Sequence, residues 1–207
     1  MLSSPNLIIF ITMNKSILVI VTLFVAALGL WSFTFLSEDA ANLSTVNEMP
    51  SEGVQIEWIT IEEAAKRHEA EPRYWIIDVY TDWCGWCKRM DASTFKDPHV
   101  VTEINKHYYA VKFDAEAKRD ITFGDKTYKF VPNGRRGYHE LAATILNGKM
   151  SYPSIAYMSN EGSLIQTIPG FQTAKDIHPV LQYFGSGSYK TVTWEAYQAS
   201  YESPFDE

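Results

Sequence analysis

The only two cysteines of the chain, Cys84 and Cys87, stand three positions apart with Gly85 and Trp86 between them. Two thiols at this spacing can close a disulfide with little backbone movement, which makes them a reversible two-electron couple. Their flanks suit that chemistry. Tyr74 to Tyr80 (YWIIDVY) is an apolar, β-rich run, and Lys88 to Asp91 is charged and compatible with a helix. A strand leading into Cys-x-x-Cys at a helix start sets the first thiol among unpaired backbone N–H groups. There the helix dipole favours thiolate over thiol.

Other roles for the pair stay open from the residues alone. Free cysteines also pack as small hydrophobes. A zinc site needs more ligands, and there is no second Cys-x-x-Cys; the histidines at 68, 99, 107, 139 and 178 lack the close spacing that would complete a tetrahedron. A purely structural disulfide closing so small a loop restrains little of the unfolded chain. Redox chemistry is the leading reading, with zinc and a structural bond as lesser ones.

The stretch WIIDVYTDWCGWCK resembles the active-site strand and helix of the thioredoxin superfamily, whose usual form carries Trp-Cys-Gly-Pro-Cys-Lys. Trp83, Cys84, Gly85, Cys87 and Lys88 match it, and Trp86 stands where proline is usual. Asp78, six residues before Cys84, falls at the family's buried acidic position. The Asp-Trp-Cys-x-x-Cys-Lys form also resembles the C-terminal domain of bacterial membrane reductases of the DsbD type. The resemblance runs from roughly Val54 to Phe184, strongest around the cysteines.

That resemblance implies an α/β thioredoxin fold, a central mixed sheet flanked by helices, and a thiol–disulfide oxidoreductase acting as a disulfide reductase. Cys84 would attack the substrate disulfide, Cys87 would resolve the mixed disulfide, and Asp78 would move the proton. Trp83, Trp86, Tyr152 and Pro153 would meet the substrate, with Pro153 at the family's cis-proline position. Lys112 matches the lysine found near the buried aspartate, and an ordinary exposed strand residue is the equal alternative. No cofactor and no metal are implied. The partners would be a protein or small-molecule disulfide and a membrane thiol reductase as electron donor. Two rivals remain: a non-enzymatic binding or assembly module whose cysteines are a redox-sensitive clasp, and thiol-based delivery of a soft metal, for which no third ligand is visible.

The elements that must position these residues can be read in chain order. From Leu7 to Leu36 the only charge is Lys15, and Ile17 to Leu36 is 20 residues, enough to span a bilayer as a helix. Lys15 before it and Glu38-Asp39 after it put the following domain outside the cytoplasm by the positive-inside rule. Residues 1–36 are therefore expected to be an N-terminal anchor, with a cleaved signal as the alternative, and the protein periplasmic or otherwise extracytoplasmic. Residues 37–53 read as a linker, 54–185 as the thioredoxin-like domain with an insertion at 115–136, and 186–207 as an extension. The net charge of −7 without a Lys/Arg cluster leaves no footprint for nucleic acid.

Within the domain, the pattern predicts a strand at 54–58 and a helix from Thr60, capped by the Thr60/Glu63 pair. The central strand 74–80 follows, then the cysteine helix, a helix at 99–107 and a strand at 108–114. In the insertion, Ile121–Phe123, Gly124-Asp125 and Lys126–Tyr128 predict a hairpin with Ile121 facing Tyr128 and Asp120 facing Lys129. Pro132-Asn133-Gly134 is expected to close it. A helix at 138–146, strands at 155–158 and 164–168, a helix at 174–184, a flexible break at 185–188 and a short helix at 194–201 complete the reading. His68 is expected to be a half-exposed helix residue and His139 a solvated residue of a first helical turn.

Overall fold

The computed structural model describes residues 53–205. The segments expected to form the anchor and most of the linker lie outside the described residues. Among those described, no helix is long and apolar enough to cross a membrane.

Five strands make one mixed sheet: β1 (Trp58–Ile59), β2 (Tyr74–Tyr80), β3 (Tyr108–Asp114), β8 (Ser154–Met158) and β9 (Leu164–Pro169). Their spatial order is β1-β3-β2-β8-β9, with β3 parallel to β1 and β2, and with β8 antiparallel to both β2 and β9. The first strand is two residues long rather than the expected five, and it begins only at Trp58.

Helices α1 (Ile61–Ala70), α2 (Gly85–Ala92), α3 (Pro98–His107), α4 (Glu140–Ile145), α5 (Ala174–Gly185) and α6 (Trp194–Ser200) accompany the sheet. The Thr60 hydroxyl caps α1 by accepting from Glu63 N–H at 3.2 Å. Asp97 caps α3, where Pro98 occupies the first turn and has no N–H to leave unpaired.

Strand β2 is buried on both faces, and its period-2 alternation divides the core. Trp75, Ile77 and Val79 pack with Ile61 and Ala64 of α1 and Leu141 and Ile145 of α4. Ile76 points the other way, into Met90 of α2, Val100 and Ile104 of α3 and Leu181 of α5. Burying one such side chain stabilises the fold by about 1.5–3 kcal/mol. Asp78 shares its alternation with Ile76, so the strand itself aims a carboxylate at the face covered by the cysteine helix. That placement is what the site depends on.

The insertion holds two hairpins. The first forms in the expected register, with β4 (Ile121–Phe123) pairing β5 (Lys126–Tyr128) and Ile121 opposite Tyr128; Lys129 Nζ lies 3.6 Å from Asp120 Oδ2. The second, β6 (Phe130–Asn133) with β7 (Arg136–His139), occupies residues read from the sequence as a turn and a helix start. Pro132 and Gly134 therefore do not close the insertion; Gly134, at φ +62°, helps turn the second hairpin. Gly137 in β7 permits the pairing, since a Cβ there would sit 2.3 Å from Phe130 Cζ and 2.5 Å from the Val131 carbonyl.

Helix α4 starts at Glu140, two residues later than expected, with His139 as its N-cap. His139 is fully buried rather than solvated: Nδ1 accepts from Leu141 N–H at 3.2 Å and Nε2 lies 3.1 Å from the Arg119 carbonyl. His68 is half-buried as expected, but it also accepts the Trp75 indole N–H at 3.0 Å. The expected flexible break after α5 is instead a tight turn. A Cβ on Gly185 would lie 2.9 Å from His107 Cβ, and Gly187 adopts φ +76° ahead of a 3-10 turn at Ser188–Lys190. Helix α6 then packs Trp194 and Tyr197 on Tyr183 of α5, at ring centroid distances of 5.2 and 5.0 Å.

Candidate active site

Cys84 and Cys87 form a disulfide with their Cα atoms 5.3 Å apart. Cys84 is the N-cap of α2, and its Sγ accepts the Cys87 backbone N–H at 3.1 Å. A sulfur in this position meets the positive end of the helix dipole, and a negative charge on it gains an N–H partner. Both cysteines are buried, Cys84 slightly less than Cys87. The indoles on either side of Cys84 are open, Trp83 at 50% and Trp86 at 55% of their full exposure.

Behind the pair lies a charge cluster of three side chains. Asp78 and Lys112 are direct neighbours across the parallel β2–β3 ladder, and Lys112 Nζ donates to Asp78 Oδ2 at 2.5 Å. The same ammonium donates to Asp91, four residues after Cys87 on α2. The rings of Trp58, Tyr80 and Phe95 surround it at 5.0, 5.2 and 5.5 Å. Lys112 is thus a partner of the buried carboxylate and not a free strand residue.

Burial pushes the Asp78 carboxyl up to about 6, Lys112 opposes the rise, and the charge on Asp91 adds to it. For Lys112 burial disfavours the charge, yet the two carboxylates outweigh it and its pKa rises. The difference follows from exposure: Asp78 is 1% exposed, whereas Lys112 is part-open and shared between two acids. Asp78 Oδ1 is buried without a hydrogen-bond partner among the described residues, so it is the oxygen free to take a proton.

The remaining candidates converge from three loops. The Tyr152–Pro153 peptide is cis, as expected for that position. The Tyr152 ring meets Trp83 edge-on at 6.0 Å, which brings the proline loop beside the cysteine loop. Pro153 is buried, and its carbonyl accepts Gly170 N–H at 2.8 Å. Pro153 therefore has no N–H to offer a bound chain, and its carbonyl already accepts one hydrogen bond. Trp86 packs on Phe171 at 5.4 Å.

Several residues of the site were not singled out in the sequence. Asp91 was legible, since a position four after Cys87 lies on the same helix face. Glu116, which accepts the Trp83 indole N–H at 3.0 Å, and Arg136, whose guanidinium sits 4.0 Å over the Trp83 ring, were not. Both come from the insertion, whose path back to the cysteines no local pattern encodes. Among the described residues, no group of three or more His, Cys, Asp or Glu is arranged to hold a metal ion.

Similar solved structures include a thioredoxin-fold protein from Helicobacter pylori, 17% identical, covering 69% of this chain and 82% of that one with a TM-score of 0.47. A putative disulphide-isomerase from Bacteroides thetaiotaomicron is 24% identical over 63% of this chain and 92% of that one, with a TM-score of 0.44. The reduced DsbD C-terminal domain of Neisseria meningitidis is 18% identical over 59% and 91%, with a TM-score of 0.42. No curated protein matches the sequence. The profile of the thioredoxin-like domain matches residues 61–185, which take in the central strand, the cysteine pair, both insertion hairpins and the cis-proline loop, and the chain belongs to that family.

Proposed function

We propose that the protein is an extracytoplasmic disulfide reductase working by dithiol–disulfide exchange through Cys84 and Cys87. The observation that carries this is the Cys84–Cys87 disulfide at the N-terminus of α2 with the buried Asp78 carboxyl on the facing strand.

In the reduced protein the Cys84 thiolate attacks one sulfur of a substrate disulfide. The other substrate sulfur leaves as thiolate and is protonated. Cys87 then loses its proton, with Asp78 Oδ1 as acceptor, and attacks Cys84 Sγ. The second substrate sulfur departs as thiolate and takes up the proton released through Asp78, and the protein is left as the disulfide. The substrate gains two electrons and two protons, which an external dithiol must restore to the protein; a membrane thiol reductase is the donor that fits. Trp83, Trp86 and Tyr152 offer open aromatic surface on the path of the substrate chain.

The reducing direction rests on charge. Strong oxidants of this chemistry stabilise the thiolate, and DsbA reaches about −120 mV in that way. Here the intervening Gly85-Trp86 supplies no cation, while the buried Asp78, its charge partly answered by Lys112, disfavours a second negative charge nearby. Both effects favour the disulfide of the protein, so its potential should fall at roughly −270 to −200 mV. Equilibration of the purified protein with glutathione buffers measures it, and a value near that of DsbA would make this an oxidant.

Location rests on the apolar run 17–36 after Lys15. Full-length protein is expected to stay with membranes through a carbonate wash, its domain open to protease from outside the cytoplasm. A soluble form starting near Leu28 or Leu30 would show a cleaved signal instead.

A further inference from the structure

Each exposed indole beside Cys84 is covered by an arginine. Arg136, from the second hairpin of the insertion, lies over Trp83 at 4.0 Å. Arg89, from α2, lies over Trp86 at 5.3 Å and over Phe171 at 5.6 Å. Both arginines are exposed, and among the described residues neither guanidinium has a carboxylate or hydrogen-bond partner. A guanidinium held over a ring by cation–π attraction makes no hydrogen bond in doing so. Its N–H groups remain available to a carboxylate, which the guanidinium can bind in bidentate fashion.

Each arginine also heads a surface depression. One, of about 450 Å³, is lined by Arg89, Lys96, Asp97, Phe171 and Thr173. The other, of about 390 Å³, is lined by Asp82, Asp114, Glu116, Lys118, Arg135 and Arg136. Carboxylates line both, but most are engaged within the fold. Asp97 caps α3, Asp114 accepts Glu116 N–H at 2.9 Å, and Glu116 holds the Trp83 indole. Asp82 has no such bond among the described residues. The bonds to the others come from neutral N–H groups and leave the carboxylates charged: Arg89 and Lys96 face Asp97 in the first depression, and Lys118, Arg135 and Arg136 balance Asp82, Asp114 and Glu116 in the second. What singles out Arg89 and Arg136 is their place over the indoles beside Cys84, with N–H groups unpaired among the described residues.

We propose that Arg89 and Arg136 are specificity residues that select polypeptide disulfides flanked by Asp or Glu. The substrate chain lies across Trp83 and Trp86, its cystine is presented to Cys84, and acidic side chains on either side reach the two guanidinium edges. The inserted second hairpin thereby becomes part of the substrate-reading surface, because it carries Arg136. This inference rests on the exchange reading above.

The test uses the full chain, reduced beforehand with dithiothreitol and freed of it. Single-turnover rates are followed with cystine peptides identical except for Glu, Gln or Lys beside the cystine, and with neutral 2-hydroxyethyl disulfide as a probe of exchange itself. The Glu peptide should react roughly five- to tenfold faster than the Lys peptide at low salt, the scale of two exposed ion pairs, and the gap should shrink at high salt. Arg89→Glu with Arg136→Glu should reverse the order of the peptides, and Arg89→Gln with Arg136→Gln should bring them level. Exchange with the neutral probe but equal rates for the Glu and Lys peptides would overturn the selectivity and leave the reductase reading intact. A preference that persists in both double variants would assign it to other residues. No exchange with any of the disulfides would overturn both readings.

Discussion

Cys84→Ser is expected to lower disulfide exchange by about three orders of magnitude or more, the scale of removing a nucleophile. Cys87→Ser should block steady turnover to a similar extent for a different reason. It leaves an attacking thiol at the helix start but no second thiol to release the product, so one round of attack proceeds and stops. The two variants are thus equivalent in steady-state rate and distinct in what accumulates. Rates near that of the unaltered protein in either variant would remove the dithiol couple from the mechanism.

Asp78→Asn should separate catalysis from stability. Removing the proton acceptor is expected to slow exchange at pH 7 by roughly 10²-fold, the usual scale for a positioned general base. It should also remove the rise in rate that accompanies ionisation of Asp78 near pH 6. The same substitution should stabilise the oxidised protein. The folded-state pKa of Asp78 lies above its unfolded value, so its favourable contribution is fully present below about pH 4 and is lost as pH rises through about 6. At 1.36 kcal/mol per pK unit, the buried charge costs the fold about 3 kcal/mol at pH 8. Asn avoids that cost, and Lys112 keeps Asp91 as partner. Urea unfolding at pH 8 and pH 4 should therefore show Asp78→Asn more stable by about 2–3 kcal/mol at the first and little changed at the second. Equal stability at both pH values, with an unchanged pH–rate profile, would leave Asp78 without either role.

Much of this arrangement was legible in the chain because it is local. Two-sided apolar character identified β2, and a single carboxylate inside it marked Asp78. The cysteine spacing at a strand-to-helix junction gave the couple, while the cis peptide at Tyr152-Pro153 came from the resemblance to thioredoxins rather than from local pattern. The first insertion hairpin was readable down to its register, since Gly124-Asp125 sits between two alternating triplets and Asp120 finds Lys129. The second hairpin was not. Its strands carry Pro132 and Gly137, residues that local propensity counts against a strand, and the pairing is accepted because Phe130 fills the space that a Cβ at 137 would occupy.

The partners of the site were hidden for a different reason. Lys112 lies 34 residues from Asp78, and only the parallel register sets them side by side. Glu116 and Arg136 reach Trp83 through the folded insertion, 33 and 53 positions along the chain. His139 looked like a solvated first-turn residue because its burial depends on the Arg119 carbonyl, 20 residues away. The cysteine pair and Asp78 were set by neighbours in sequence; the side chains that partner and cover them were set by neighbours in space.

The central claim is that Cys84 attacks and Cys87 resolves. Its most direct measurement is the mass of the covalent species formed when the reduced Cys87→Ser protein is mixed with a disulfide peptide, followed by mapping of the modified residue. The account predicts one peptide half attached through a disulfide at Cys84, released by dithiothreitol. A stable adduct at Cys87 in the Cys84→Ser protein, with none at Cys84 in the Cys87→Ser protein, would contradict it.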